Sequence, residues 1–294
     1  VVELLLRFKL ANIPVVVTLH TVNDDMGEQE KTLLKYIIEE SSSIIVHETF
    51  QRDILVKYFG PSKKYKVIEH GIREIGPVEG AKEKLGLHGK KVILLIGYIR
   101  PSKNFHKLVE MFPDIAKQEE DAVLVVAGKS RNAAFDQYKE SFYTLIHNSE
   151  FSDKIKIFRG QFPQYTFDTI LSAADVVVLP YERGAQSGIL SQCIAMNIPV
   201  VTSGLTAFKN ILNRCQAGIV CSNDNDYANN IIRILNDREL RSQFKKSMEI
   251  YIKEQAGWEK IASKHVSVYS QLISNPLGKA EYVYLNEPEG YRRY

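Results

Sequence analysis

Short apolar runs alternate with stretches of helical spacing along most of the chain. Ile13–Leu19 (Ile-Pro-Val-Val-Val-Thr-Leu), Ser43–His47 and Lys66–Ile68 read as strands. Between them, Glu30–Glu40 carries Leu33, Leu34, Ile37 and Ile38 at helical spacing, and Gln51–Tyr58 reads as a helix stopped by Gly60-Pro61. Strands that are apolar throughout, each followed by a helix, are the mark of βαβ units whose parallel strands are covered on both faces.

Between Gly71 and Lys91 the pattern lapses into Gly76-Pro77, charged positions, Gly86 and Gly89, as an interdomain connection would. A second series follows. Strands are predicted over 92–96, 122–127, 154–158, 174–179, 198–201 and 217–220, with helices near 105–118, 133–148 and 166–172. That is about six strands, enough for a complete doubly wound domain. Helices at 226–236, 238–254 and 258–273 close the pattern, and beyond Asn275-Pro276 no period remains; the tail is either disordered or laid over the surface. The expected organisation is a partial N-terminal Rossmann-like domain over 1–75 and a complete one over 76–255. A helix over 256–275 crosses back to the first domain, and a tail covers 276–294.

The first ten residues are apolar apart from Glu3, Arg7 and Lys9, and the chain does not open with methionine. They fall short of the ~20 apolar residues of a membrane span and lack the basic segment and cleavage site of a signal peptide. They read as a core-facing helix whose preceding strand is absent, so the chain is expected to lack its beginning. Three parallel strands make a poor sheet alone, which points the same way.

Composition changes little. Of 294 residues, 38 are basic and 35 acidic, giving a net charge of +3 without a basic block, so electrostatic nucleic-acid binding is not indicated. Cys193, Cys215 and Cys221 are odd in number and lack CxxC spacing, which argues against a disulfide framework or zinc cluster and fits a reducing cytoplasm.

Candidate chemistry sits at strand ends, where open parallel sheets bind ligands. After Ile96 comes Gly97-Tyr98-Ile99-Arg100-Pro101-Ser102-Lys103-Asn104. Gly97 permits close approach of a ligand, and Arg100 and Lys103 suit a phosphate or diphosphate; alone, the segment reads equally well as a solvated turn. Ser187 can cap a helix whose Gly188 and Ile189 amides would face an anion, although a plain capped helix explains it too. Gly128 and Gly160-Gln161 break the chain at two further strand ends. His20 and His70 end strands of the first series; they are either structural or substrate-facing. Walker, GxSxG, HExxH and GxGxxG motifs are absent from the sequence.

Taken in order, LIGYIRPSKN (95–104), VVAG (125–128), FRGQ (158–161), ADVVVLP (174–180), SGILSQCIAMNIPVV (187–201) and IEHG (68–71) resemble the family 4, or group 1, glycosyltransferases. Thr18-Leu19-His20 and Gly257–Ala262 (GWEKIA) add to the likeness, which covers most of the chain to about residue 275. The resemblance implies an α/β, GT-B architecture: two Rossmann-like doubly wound parallel-sheet domains, here with the first truncated. It also implies a retaining, metal-independent transfer of a sugar from a UDP- or GDP-linked donor to a glycan or lipid-linked acceptor, with no further cofactor. By that likeness, His20 lies near the transferred sugar and acceptor, and Arg100 and Lys103 face the leaving diphosphate. Gly97, Gly128, Gln161, Ser187, Gly188, Ile189 and Gln192 would complete the donor site. The implied setting is cytoplasmic, with peripheral membrane contact and oligomeric state left open.

The family's paired glutamates, spaced E-x7-E, fall on Gly184 and Gln192, and Tyr98 stands where an arginine usually follows the glycine. A subgroup with GxIRPxK and QSG shares these changes. A catalytically silent GT-B scaffold and, less favoured, a GT-B sugar-nucleotide epimerase are the alternatives.

Overall fold

The computed structural model describes residues 2–130, 133–184 and 187–274; the expected tail from residue 276 and Gln186 of the QSG motif lie outside them. The described chain is α/β and divides into two compact units, one formed by Val1–His70 with Glu259–Tyr294, the other by Gly71–Trp258.

In the first unit, β1 (Val16–Leu19), β2 (Ser43–Val46) and β3 (Tyr65–Val67) form a three-stranded parallel sheet in the order β1-β2-β3. Helices α1 (Val2–Leu10), α2 (Glu28–Glu40) and α3 (Thr49–Phe59) precede or connect the strands. Leu34 and Ile38 of α2 pack with Ile44, Val46 and Leu55 on one side of the sheet. On the other, Ile45 and Ile68 pack with Ile261, Val268 and Leu272 of the final helix. The central strand β2 is thus covered on both faces, as its apolar Ile44-Ile45-Val46 run requires. Helix α3 ends at Gly60, whose φ of 81° is open to glycine at little cost.

The expectation for α1 needs correction. The helix forms, but only Leu5 of its leucines is buried, whereas Leu10 is 73% exposed and Leu4 and Leu6 also face outward. Its apolar residues at 4, 5, 6, 8 and 10 run round the helix rather than along one stripe, so one packed face cannot cover them all.

The second unit carries a six-stranded, wholly parallel sheet. Its elements are α4 (Ala81–Lys84), β4 (Lys91–Ile99), α5 (Phe105–Gln118), β5 (Ala122–Ser130), α6 (Asp136–His147), β6 (Ile155–Arg159), α7 (Gln164–Ser172), β7 (Val176–Leu179), α8 (Gly188–Ala195), β8 (Val200–Thr202), α9 (Thr206–Cys215), β9 (Gly218–Val220), α10 (Asp226–Asn236) and α11 (Arg238–Tyr251). The strand order β6-β5-β4-β7-β8-β9 is the 3-2-1-4-5-6 pattern of the Rossmann sheet. Its direction of progression reverses between β4 and β7, and a crevice opens there.

Helix α9 has no counterpart in the sequence reading. The predicted helix over 238–254 instead runs as α-helix to Tyr251 and then relaxes into a π turn over Ile252–Ala256. The last helix, α12, spans Trp258–Ser274. No helix among the described residues is long and apolar enough to cross a membrane.

Candidate active site

A cavity of about 320 Å³ lies at the carboxyl ends of β4, β5 and β6, at the reversal point of the second sheet. Gly97 and Tyr98 of β4, Arg100 and Lys103 of the following turn, Gly128 and Lys129 of β5, and Gly160, Gln161 and Phe162 after β6 line it. Tyr181, two residues past the end of β7, and Ile189, in the first turn of α8, also line it, together with the apolar Ile96, Ala127 and Phe167. Seven of the residues singled out for chemistry at the strand ends therefore meet in one cavity: Gly97, Arg100, Lys103, Gly128, Gly160, Gln161 and Ile189.

Two glycines bring the backbone of this wall together. Gly97 and Gly128 are register partners on β4 and β5, with φ of 129° and 152°. A Cβ on Gly128 would fall 1.8 Å from the Gly97 carbonyl oxygen, so the two strands meet here with no room for a side chain. At Gly97 the corresponding position is freer, its nearest neighbour being the Ile189 side chain at 3.8 Å.

The charges of the cavity are unbalanced. Among the described residues neither Arg100 nor Lys103 has a carboxylate partner, and Arg100 Nε is buried without a hydrogen bond. Lys103 rests its ammonium 3.2 Å from the centre of the buried Tyr181 ring. Burial, and then the neighbouring Arg100 charge, push the Lys103 amine down to about 7. Such an arrangement favours an entering anion, which restores to both cations the partner they lack.

The N-terminus of α8 carries the expected cap. Ser187 is buried, and its Oγ accepts a hydrogen bond from the Leu190 N–H at 3.3 Å. Neither Ser187 nor Gly188 is part of the cavity wall, though Ile189 beside them is. Gln192 also lies outside it. Its Oε1 accepts from Arg73 at 2.9 Å, and Arg73 is gripped by both oxygens of Asp168 at 3.1 and 3.0 Å. Gln164 donates to the same carboxylate at 2.7 Å.

In the first unit, His20 directly follows β1, His47 directly follows β2, and His70 lies just beyond β3. Parallel register puts them in a row across one sheet edge. The His20 and His47 ring centres are 4.8 Å apart, and His70 stands 5.4 Å from His47. His47 is 4% exposed, whereas His20 is open to solvent. Sequence reading picked out His20 and His70 but not His47, Tyr181 or Phe162. The signal for His47 was present: it stands one residue past a strand whose neighbour ends in His20. Among the described residues no cluster of His, Cys, Asp and Glu is arranged to hold a metal ion.

Burial lowers His47 to about 4, against the opposing pull of its hydrogen bond to the Ile68 carbonyl, and nearby histidines lower it further. The unfolded chain therefore binds this proton more tightly than the fold does. The stabilising contribution is complete above pH ~6.5 and is lost as the pH falls toward 4. Thermal melts from neutral to pH ~4 should show that loss, and His47→Gln should flatten it. An unchanged slope in the variant would assign the acid sensitivity elsewhere.

Solved structures share this architecture. HepE from Anabaena, crystallised with UDP and glucose, superposes with a TM-score of 0.79 at 14% identity, covering 92% of this chain and 76% of that one. Sucrose-phosphate synthase from Thermosynechococcus elongatus gives 0.77 at 20% identity, over 91% and 71%. Two parallel-sheet units of this kind, the first of them small, define the class as a GT-B fold. The chain belongs to the glycosyl transferases group 1 family, whose sequence profile matches residues 78–249. It is similar to spore coat protein SA of Bacillus subtilis (strain 168), with 23% identity over 66% of this chain and 52% of that protein. Alpha-monoglucosyldiacylglycerol synthase of Streptococcus pneumoniae (strain ATCC BAA-255 / R6) is 25% identical over 76% and 54%. The chain thus spans about half the length of these two relatives.

Proposed function

We propose that the protein transfers a sugar, with retention, from a UDP- or GDP-linked donor to a glycan or lipid-linked acceptor, without a metal. The observation carrying this reading is the pair Arg100 and Lys103, two cations lacking carboxylate partners among the described residues, at the mouth of a glycine-walled cavity. During transfer the anomeric C–O bond to the diphosphate breaks, the acceptor oxygen bonds the same carbon as its hydroxyl proton passes to the departing phosphate, and negative charge grows on that phosphate in the transition state. Preorganised cations at that point stabilise the transition state more than the ground state. Arg100 and Lys103 fill this role, supported by the amides at Ser187, Gly188 and Ile189. Gly97, Gly128 and Gln161 take the remaining donor contacts, and Gln192 a ribose hydroxyl. His20 stands on the acceptor side.

Support also comes from the relatives. HepE was crystallised with UDP and glucose, and the streptococcal relative bears the name of a glycolipid synthase. A cytoplasmic setting, with peripheral contact to a membrane, fits a lipid-linked acceptor.

Calorimetry with UDP-, GDP- and ADP-linked sugars, followed by a donor-hydrolysis assay, tests the reading. Binding of one donor and slow release of its nucleotide are expected, and Arg100→Ala should weaken binding by about tenfold or more, the worth of one charge-assisted hydrogen bond. Failure to bind any nucleotide would overturn the donor site. Binding without turnover would favour the second reading, a silent GT-B scaffold. That alternative is motivated by Gly184 and Gln192 at the acidic positions, with Gln192 already engaged by Arg73.

A further inference from the structure

His20 is exposed, yet two buried residues hold it at both ends. Gln51, 0% exposed, donates from Nε2 to the His20 carbonyl at 3.2 Å, while its Oε1 accepts the His47 and Glu48 N–H groups at 2.9 and 3.0 Å. The His20 ring is held by His47, whose Nε2 lies 3.1 Å from His20 Nδ1. The other His47 nitrogen, Nδ1, lies 3.0 Å from the Ile68 carbonyl oxygen. A carbonyl can only accept, so His47 Nδ1 carries the proton. In uncharged His47 the Nε2 is then an acceptor, and the proton between the two rings belongs to His20 Nδ1.

We propose that His47 is a positioning residue that fixes uncharged His20 in its Nδ1–H tautomer, so that His20 Nε2 offers a lone pair to a hydroxyl of a bound acceptor. This rests on the glycosyltransferase reading for its ligand, but not for its geometry. A neutral acceptor nitrogen repels the lone pairs of a phosphate or carboxylate and attracts an O–H, which suits this edge to a hydroxyl of the acceptor rather than to the donor's phosphates. The groups facing His47 are His20 beyond β1, His70 beyond β3 and His265 of α12, and each opposes protonation of His47. His47 therefore stays an acceptor throughout the neutral range, and the relay from the Ile68 carbonyl to His20 Nε2 keeps one direction. The same logic orients histidine bases in sites where a buried partner sets the tautomer.

Imidazole tautomers are read directly by long-range proton–nitrogen spectra of the ¹⁵N-labelled full chain at mildly alkaline pH, with His20→Gln identifying the His20 signals. The expected wild-type result is a protonated Nδ1 and a bare Nε2. His47→Asn retains a donor for the Ile68 carbonyl but is too short to accept from His20, and should move His20 to the Nε2–H form. His47→Gln places an amide oxygen where Nε2 stood and should keep the Nδ1–H form. An Nε2–H tautomer in the wild type, or Nδ1–H persisting in His47→Asn, overturns the proposal. If His47→Asn does not fold, the wild-type and His47→Gln spectra decide. In the transfer assay kcat should fall roughly tenfold in His47→Asn with the donor KM unchanged, less than the ~100-fold of full acid–base catalysis, and recover in His47→Gln. An unchanged kcat would deny His47 any service to the reaction. Absence of turnover in the wild type, with its tautomer as stated, would instead overturn the glycosyltransferase reading and support the arrangement of the two rings.

Discussion

Replacing Lys103 by methionine is expected to stabilise the ligand-free protein and to remove most of its affinity for a nucleoside diphosphate. Lys103 is a largely buried cation beside another cation, and its compensation among the described residues is the face of Tyr181. A cation–π contact contributes about 2 kcal/mol when desolvated, whereas burial and the Arg100 charge both act against the ammonium and push the amine down to about 7. Methionine is of similar length and replaces the ammonium–ring contact with a sulfur–aromatic one while removing the charge. A gain on the order of 1 kcal/mol, or about 2–4 °C in Tm, is the expected size.

The sign with pH is fixed. Because the folded-state value lies below the ordinary 10.5, the unfolded chain holds this proton more tightly. The penalty is full below pH ~7 and fades as the pH rises toward 10.5. The advantage of Lys103→Met should therefore be greatest at or below neutrality and shrink in alkali. UDP binding should move the opposite way, falling ten- to a hundredfold in the variant, the worth of one charged hydrogen bond. Wild-type binding should weaken above pH ~7, where Lys103 must first take up a proton, and the variant should not share that trend. A variant that is less stable yet binds UDP normally would show Lys103 to be a structural residue.

Gly128→Ala should be among the most destabilising single-methyl changes in the second unit. The added Cβ meets backbone rather than a movable side chain, 1.8 Å from the Gly97 carbonyl oxygen, at a φ of 152°. Strands β4 and β5 would have to part in the centre of the sheet, at a cost on the order of 3 kcal/mol, about 10 °C in Tm. Gly97→Ala is the informative contrast. Its φ of 129° is also unfavourable to alanine, but the new methyl finds only Ile189 nearby and points toward the cavity. A cost of about 1–2 kcal/mol in stability is expected from the backbone strain alone, with a larger loss in donor affinity than in Tm. Equal effects of the two changes on melting would contradict this division between a packing glycine and a ligand-facing one.

Much of the second unit was legible because its strands are buried on both faces, so β4, β5 and β7 appear as unbroken apolar runs. Helices α5 and α10 begin and end where their apolar stripes do. Helix α9 was missed because Lys209, Asn210, Asn213 and Arg214 separate its buried positions Ala207, Phe208, Leu212 and Cys215. The leucines of α1 misled in the opposite sense: apolar composition predicted burial, while burial depends on having a surface to pack against, and only Leu5 has one.

The site was half legible for a related reason. Gly97, Arg100, Lys103, Gly128 and Gln161 sit immediately beyond strand ends, and parallel topology carries every such position to the same edge of the sheet. The sequence by itself therefore determined the α/β class, the strand ends that face a ligand and the family resemblance. Tertiary structure alone decided which neighbours those residues have. Tyr181 lies under Lys103 although 78 positions separate them, Arg73 reaches Gln192 across 119, and His47 meets His20 across 27. Local spacing fixes which way a side chain points within its element; charge balance, tautomer and proton affinity depend on what the folded chain brings within a few ångströms.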